Sequence, residues 1–217
     1  MRVSVRIWVA VQASSGMAAG VRVAVTAAAV SIVLALVLGF VLGVGRLSAH
    51  AGIRGVCGVI VEFFRAVPVL IMMIFAYFLY AVYGVFPSGQ LALAGVITGL
   101  TLYNGAVIAE IVRAGVKSLP RGQTEAASAL GLTWGQTMRA ILLPQAVTSM
   151  LPVLISQLVV VLKDTAIGYQ ITFVEMVRQG TAVGSAYGNY LPALIVIALL
   201  MISLNFTLSW FATWLER

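Results

Sequence analysis

The sequence predicts an all-α, polytopic membrane protein with five transmembrane helices, and three observations carry that expectation. Of its 217 residues 62% are hydrophobic and only 9% are charged, whereas about a quarter of an average soluble chain is charged. The mean hydropathy is +1.09, so too little polar surface exists to cover a water-soluble domain. The charges are also far apart, leaving uncharged runs as long as the roughly 20 helical residues that a bilayer core demands.

In chain order, the residues before Arg22 include Arg2, Arg6, Ile7 and Trp8. Their apolar part is too short to cross a membrane and reads as an interfacial helix; a secretory signal is the weaker alternative, because no cleavage site follows. Span one is the uncharged run from Arg22 to Arg46, about 34 Å as helix. The next run, Arg65 to Glu110, is broken near its middle by Pro87-Ser88-Gly89-Gln90, a turn sequence with no reason to continue a helix. It gives spans two and three, near 67 to 86 and 91 to 110. Span four lies between Arg139 and Lys163, and span five after Pro192 in the run that ends at Glu216. Small residues such as Ala27-Ala28-Ala29 and the series Gly39, Gly43, Gly45 suit close helix packing in lipid. No internal repeat is evident, and residues 1–217 read as a single transmembrane domain.

Charge and composition exclude several functions. The net charge of +7 comes from basic residues scattered between apolar runs, which is the pattern of loop topology and not of nucleic-acid binding. A single cysteine, Cys57, excludes an internal disulfide, and a single histidine, His50, excludes metal chemistry that needs two imidazoles. With the N-terminus outside, the inner segments hold Arg46, Arg54, Arg65, Arg113, Lys117, Arg121, Arg139 and Arg217; the outer ones hold Arg2, Arg6, Arg22, Lys163 and Arg178. The positive-inside rule favours this N-out arrangement, although the arginines before span one oppose it.

One polar loop stands out, about 113–145. Within it Thr124 offers a cap for a short helix with Glu125 in its first turn, where negative charge is favoured, and Gly131 offers a left-handed stop. Such a helix is too short to be stable without a partner. Composition alone leaves a plain connector and a docking element equally open. The spacing is more telling: Glu125-Ala126-Ala127, then Gly131, then Ile141 and Leu143-Pro144, resembles the EAA signature of permease subunits of ATP-binding-cassette (ABC) importers. Further blocks are similar to polar amino-acid permeases: Glu62 through Leu70, Gly105-Ala106 through Glu110, Arg113-Ala114-Gly115, Arg121-Gly122-Gln123, Leu143-Pro144-Gln145-Ala146 and Leu162-Lys163-Asp164-Thr165. The wording from Gly99 to Asn104 and from Gly168 to Thr172 most resembles actinobacterial glutamate permeases.

That resemblance implies a type I ABC importer permease fold with a cytoplasmic EAA coupling loop. It implies docking on the ATPase through Glu125, Ala126, Ala127, Leu130 and Gly131. The implied partners are two ABC ATPase subunits, a second permease of the same or a related chain, an extracytoplasmic solute-binding protein and an amino-acid substrate. Glutamate is the implied cargo, with glutamine or arginine as alternatives. It places the chain in the bacterial cell membrane, N-terminus outside and C-terminus cytoplasmic.

The chain itself has no phosphate-binding loop, since Lys117 follows valine and Lys163 follows leucine and neither forms Gly-Lys-Ser or Gly-Lys-Thr. It is read as a non-enzyme with no cofactor of its own; ATP and Mg belong to the partner ATPase. An intramembrane enzyme would need an activated nucleophile, but Ser31, Ser156 and Ser203 have no histidine partner in their spans and read as back-bonded hydroxyls. A channel would need a filter or pore ring. For the substrate path the candidates are Lys163 and Asp164, with Thr165, Asn104 and Gln157 as further polar contacts. A charge at membrane depth marks function, while mutual pairing, capping of a broken helix or interhelical bonding are the structural alternatives. If span four starts near Pro144, Lys163 lies about 28 Å along it; if at Pro152, about 16 Å.

Overall fold

The computed structural model describes residues 2–215, with side chains from residue 18 onward at all but a few C-terminal positions. Every regular element among the described residues is helical. Helix α1 runs unbroken from Arg2 to Gly45, so the separate interfacial helix expected before Arg22 is not formed. No proline falls within it to stop it.

The second correction concerns residues 51–66, expected as part of a loop. They form α2 (Ala51–Ala66), followed by α3 (Val69–Tyr83), and the two helices meet at 98°. Pro68 makes the corner: Val67 before it is extended, φ −86° and ψ 126°, because the proline ring excludes the helical region for its predecessor. At 15 residues α3 is about 22 Å long and cannot cross a bilayer core alone. After a short 3-10 turn at Ser88–Gln90 comes α4 (Leu91–Lys117), then the short α5 (Arg121–Ala129) and α6 (Trp134–Thr137). One π-helical stretch, Met138–Leu142, leads into α7 (Leu143–Asp164). A 3-10 run over Thr165–Ile171 follows, then α8 (Met176–Ala186), which sequence reading missed, and α9 (Tyr190–Leu215).

Among the described residues four helical stretches are long and apolar enough to cross a membrane: Ala18–Gly45, Ser88–Lys117, Trp134–Ile171 and Tyr190–Thr207. Counting the bent pair α2–α3 as one broken span gives five, the number that charge spacing predicts.

The chain divides into two compact units. One gathers the chain through Ser31, Val69–Leu100 and Val159–Phe211; the other gathers Ile32–Pro68, Thr101–Leu158 and the residues after Phe211. The second unit has the core that matters most for the coupling loop: Ile108, Val112 and Val116 of α4 pack with Met138, Leu142, Ala146 and Met150. Here the small residues of α1 act as expected. A Cβ on Gly39 would lie 2.5 Å from Ile108 Cγ2, and one on Gly43 would lie 2.8 Å from Val112 Cβ, so any larger residue would force α1 and α4 apart. In the first unit, Met72, Met73, Val96, Ile171 and Phe173 are buried.

Candidate functional site

The coupling loop is built on α5 and its two ends. The helix starts earlier than expected: Pro120 is its N-cap residue, without a side-chain bond, and Thr124 lies inside the helix, where its carbonyl accepts the Ser128 hydroxyl at 2.9 Å. Thr124 is therefore not the cap, and Glu125 falls outside the first turn. Proline, with φ fixed at −57°, sets the entry angle that the hydroxyl was expected to set.

The C-terminal end is as expected, and its geometry is complete. Gly131 has φ +74°; its N–H donates to the Ser128 carbonyl at 3.0 Å, and the Leu132 N–H donates to the Ala127 carbonyl at 3.0 Å. These two bonds are a Schellman motif. A Cβ on Gly131 would meet nothing within 4 Å, so conformation and not space demands glycine there. Of the docking candidates, Glu125 and Ala126 are exposed and Leu130 is 79% exposed, while Ala127 is 1% exposed and turned inward.

Beyond the helix, Thr133 and Gln136 form a capping box: the Gln136 Oε1 accepts the Thr133 N–H at 2.8 Å, and the Gln136 N–H reaches the Thr133 hydroxyl. The Thr-x-x-Gln spacing signals this device in sequence, and it was missed. The π turn then ends with the Leu143 N–H donating to the Met138 carbonyl. Next, Pro144 lacks an N–H, and the Gln145 side-chain amide donates to the Ile141 carbonyl at 2.8 Å.

Of the substrate-path candidates, Asn104 and Gln157 meet within the second unit. Asn104 is fully buried and accepts the Gln157 amide at 2.7 Å, an interhelical bond of the kind lipid favours. Lys163, Asp164 and Thr165 belong to the first unit. Helix α7 starts at Leu143 and passes through Pro152, which selects the earlier of the two helix starts; Lys163 is then about 30 Å along it. Lys163 is exposed and Asp164 partly buried. No salt bridge joins them among the described residues, and Asp164 makes no side-chain cap bond, so neither structural alternative for the pair is realised. The Thr165 hydroxyl donates to the Leu162 carbonyl at 2.7 Å.

Lys163 and Thr165 border a niche of about 30 Å³ together with Glu175 and Asn205, room for one water. Glu175 is 2% exposed and caps α8 by accepting the Val177 and Arg178 N–H groups at 2.7 and 2.8 Å. Burial pushes its carboxyl above the usual glutamate range, against the opposing pull of those two bonds and of the Arg178 charge. Nothing in the sequence marked this residue, because an isolated glutamate before an apolar helix reads as a loop residue. Of the serines, Ser203 is back-bonded to the Leu200 carbonyl at 2.9 Å, whereas the buried Ser31 hydroxyl has no hydrogen-bond partner among the described residues.

Similarity to known proteins follows the same lines. A family model described as "binding-protein-dependent transport system inner membrane component" matches residues 35–217. The glutamate transport system permease protein GluD of Corynebacterium glutamicum is 58% identical over 81% of this chain; the match spans 64% of GluD, just under two thirds of its length. The glutamate/aspartate import permease GltK of Escherichia coli is 29% identical over 79% of each chain. In structure, a crystallised amino-acid ABC transporter with histidines superposes with a TM-score of 0.85 at 27% identity, covering 95% of both chains.

Proposed function

The chain belongs to the family of binding-protein-dependent transport system inner membrane components, and on that premise we propose that it is the permease subunit of an ABC amino-acid importer whose cargo is glutamate. The observation that carries the cargo is the 58% identity to a glutamate permease, well above the 29% shared with the glutamate/aspartate permease. ATP and Mg act on a separate ATPase subunit, and a solute-binding protein delivers the amino acid from outside. A second permease, the same chain or a relative, completes the pathway.

Coupling runs through α5. Its exposed Glu125, Ala126 and Leu130 and the capped end at Gly131 form the face that meets the ATPase, with buried Ala127 fixing the helix to the permease. Allosteric coupling requires an element whose position both sites bias, and a short helix held by a Schellman cap and continued through a π turn into α7 is suited to that. Nucleotide-driven movement of α5 shifts the permease pair between inward- and outward-facing forms. Asn104, Gln157, Lys163, Asp164 and Thr165 contribute polar groups to the path, and the N-terminus lies outside, with the coupling loop in the cytoplasm.

The test is ATP-dependent accumulation of labelled glutamate by proteoliposomes containing this chain with its ATPase and binding protein. Uptake of glutamate that is outcompeted by unlabelled glutamate but not by glutamine or arginine is the expected result. Failure to accumulate any amino acid would overturn the importer reading; preference for another amino acid would overturn the cargo alone.

A further inference from the structure

The second unit contains a charge cluster that the coupling helix does not use. At the end of α1, Arg46 donates to Glu110 of α4 at 2.6 Å and to Glu62 of α2 at 3.0 Å. Arg113, one turn beyond Glu110, holds the same carboxylate through Nε at 3.0 and 3.1 Å and through Nη2. The fourth contact is weaker: Arg65 Nη1 lies 3.8 Å from Glu62 Oε2, beyond hydrogen-bond distance. Three guanidiniums thus face two carboxylates, one positive charge is in excess, and Arg65, whose single ion pair with Glu62 is the longest of the set, is the least engaged of the three. Its side chain is also the most open of the three arginines, 40% exposed against 14% for Arg46 and 27% for Arg113.

Arg65 borders an open cleft of about 360 Å³ whose other walls are Tyr103, Val107, Glu110, Ile111 and Ala114. That volume lies within the range of small-molecule sites, which are mostly apolar with a few placed polar groups. The polar groups here are specific. Glu110 has its charge answered by Arg46 and Arg113, so it does not repel an incoming anion as a free carboxylate would. Arg65 has a planar fork of donors with no hydrogen bond among the described residues, and the Tyr103 phenol has none there either. Such a fork binds carboxylates through two parallel bonds. Val107, Ile111 and Ala114 supply contact for an aliphatic side chain.

We infer that Arg65, with Tyr103, forms a carboxylate-binding site for the amino-acid cargo in the half of α4 that leads to the coupling loop. The inference rests on the importer reading above and assigns to Arg65 a role that the path residues Lys163 and Asp164 do not fill. A carboxylate docks against the surplus guanidinium without breaking the Arg46–Glu110–Arg113 ion pairs, so occupancy leaves the joint between α1 and α4 intact. A lipid phosphate is the other oxyanion that could reach a guanidinium in a membrane.

The test uses the complete importer in nanodiscs, without nucleotide or binding protein, titrated with labelled glutamate. Arg65→Gln should weaken binding by about tenfold or more, Arg65→Lys by less, and Tyr103→Phe by a few-fold. Glutamate with both carboxyls amidated should not compete. Nanodiscs of zwitterionic lipid and of lipid containing phosphatidylglycerol separate the two oxyanions: equal glutamate affinity in both supports the cargo site. Loss of affinity with phosphatidylglycerol in the wild type, relieved in Arg65→Gln, would assign the site to lipid and overturn the inference. Wild-type affinity in Arg65→Gln would also overturn it. If Arg65→Gln does not assemble, Tyr103→Phe with the amidated competitor decides in the same way. A wild-type complex that transports glutamate but binds none here refutes this site alone, whereas one that transports no amino acid refutes the importer reading beneath it.

Discussion

Single residues show how a membrane protein keeps polar groups where an apolar chain has few to spare. Glu175 is almost fully buried yet accepts two backbone N–H groups at the start of α8, and burial holds its carboxyl above the usual range. A carboxyl whose folded-state pKa is raised binds its proton more tightly when folded, so its contribution to stability is present at low pH and lost as pH rises through the raised value. Glu175→Gln removes that titration while keeping one acceptor for the cap. The thermal unfolding temperature of the wild type, measured in detergent across pH, should therefore fall more steeply than that of the variant from the ordinary glutamate range upward; parallel curves would show that Glu175 does not titrate in this window. Lys163 is a different case. It is exposed and has no salt bridge to Asp164, so Lys163→Ala should leave protein levels unchanged and raise the KM for glutamate uptake. Reduced levels with an unchanged KM would make it a structural residue.

At the scale of elements, the end of α5 was legible in the sequence and its beginning was not. Gly131 is readable because few residues other than glycine accept φ +74°, and that constraint is local. The start depends on whether Pro120 or Thr124 fixes the first turn; both are reasonable N-terminal residues by local chemistry, and the helix begins after Pro120. Helix α2 was missed because hydropathy and charge spacing record composition, not direction: its Arg54, Glu62 and Arg65 resemble a loop when counted, although they share one side of a helix. The ion pairs among Arg46, Glu62, Glu110 and Arg113 were invisible for the same reason, apart from the Glu110–Arg113 spacing of three. The Schellman cap yields a test that separates shape from size. Since a Cβ at Gly131 meets open space, Gly131→Asn should retain more coupling than Gly131→Ala, because asparagine tolerates the left-handed region and alanine pays about 1 kcal/mol to enter it. Uptake and binding-protein-stimulated ATPase activity of the reconstituted importer would be compared for the two. If the larger asparagine is the worse, contact with the ATPase and not backbone conformation governs the position.

For the whole molecule, the charge gaps find the spans because a charge in hydrocarbon is costly whatever its neighbours, and the same charges propose the orientation. Four uninterrupted apolar stretches and one bent pair put the two termini on opposite faces if each crosses once. The native Cys57 is a poor reporter of that arrangement: it is only partly exposed, and a Cβ on Gly45 would lie 2.5 Å from its Sγ, so the thiol is packed against α1. Better positions are exposed and lie at opposite ends of α4, at Ser88 in the turn before it and Ser118 just after it. In a Cys57→Ser background, Ser88→Cys should react with a membrane-impermeant maleimide added to intact cells, and Ser118→Cys should react only in inverted vesicles. The two positions are separated by the length of α4, 27 residues or about 40 Å, which exceeds the hydrocarbon core, so both cannot be reached from one face if α4 crosses. Labelling of Ser118→Cys from outside, with Ser88→Cys protected, would reverse the orientation and place the coupling helix away from ATP. Labelling of both in intact cells would mean that α4 does not span at all.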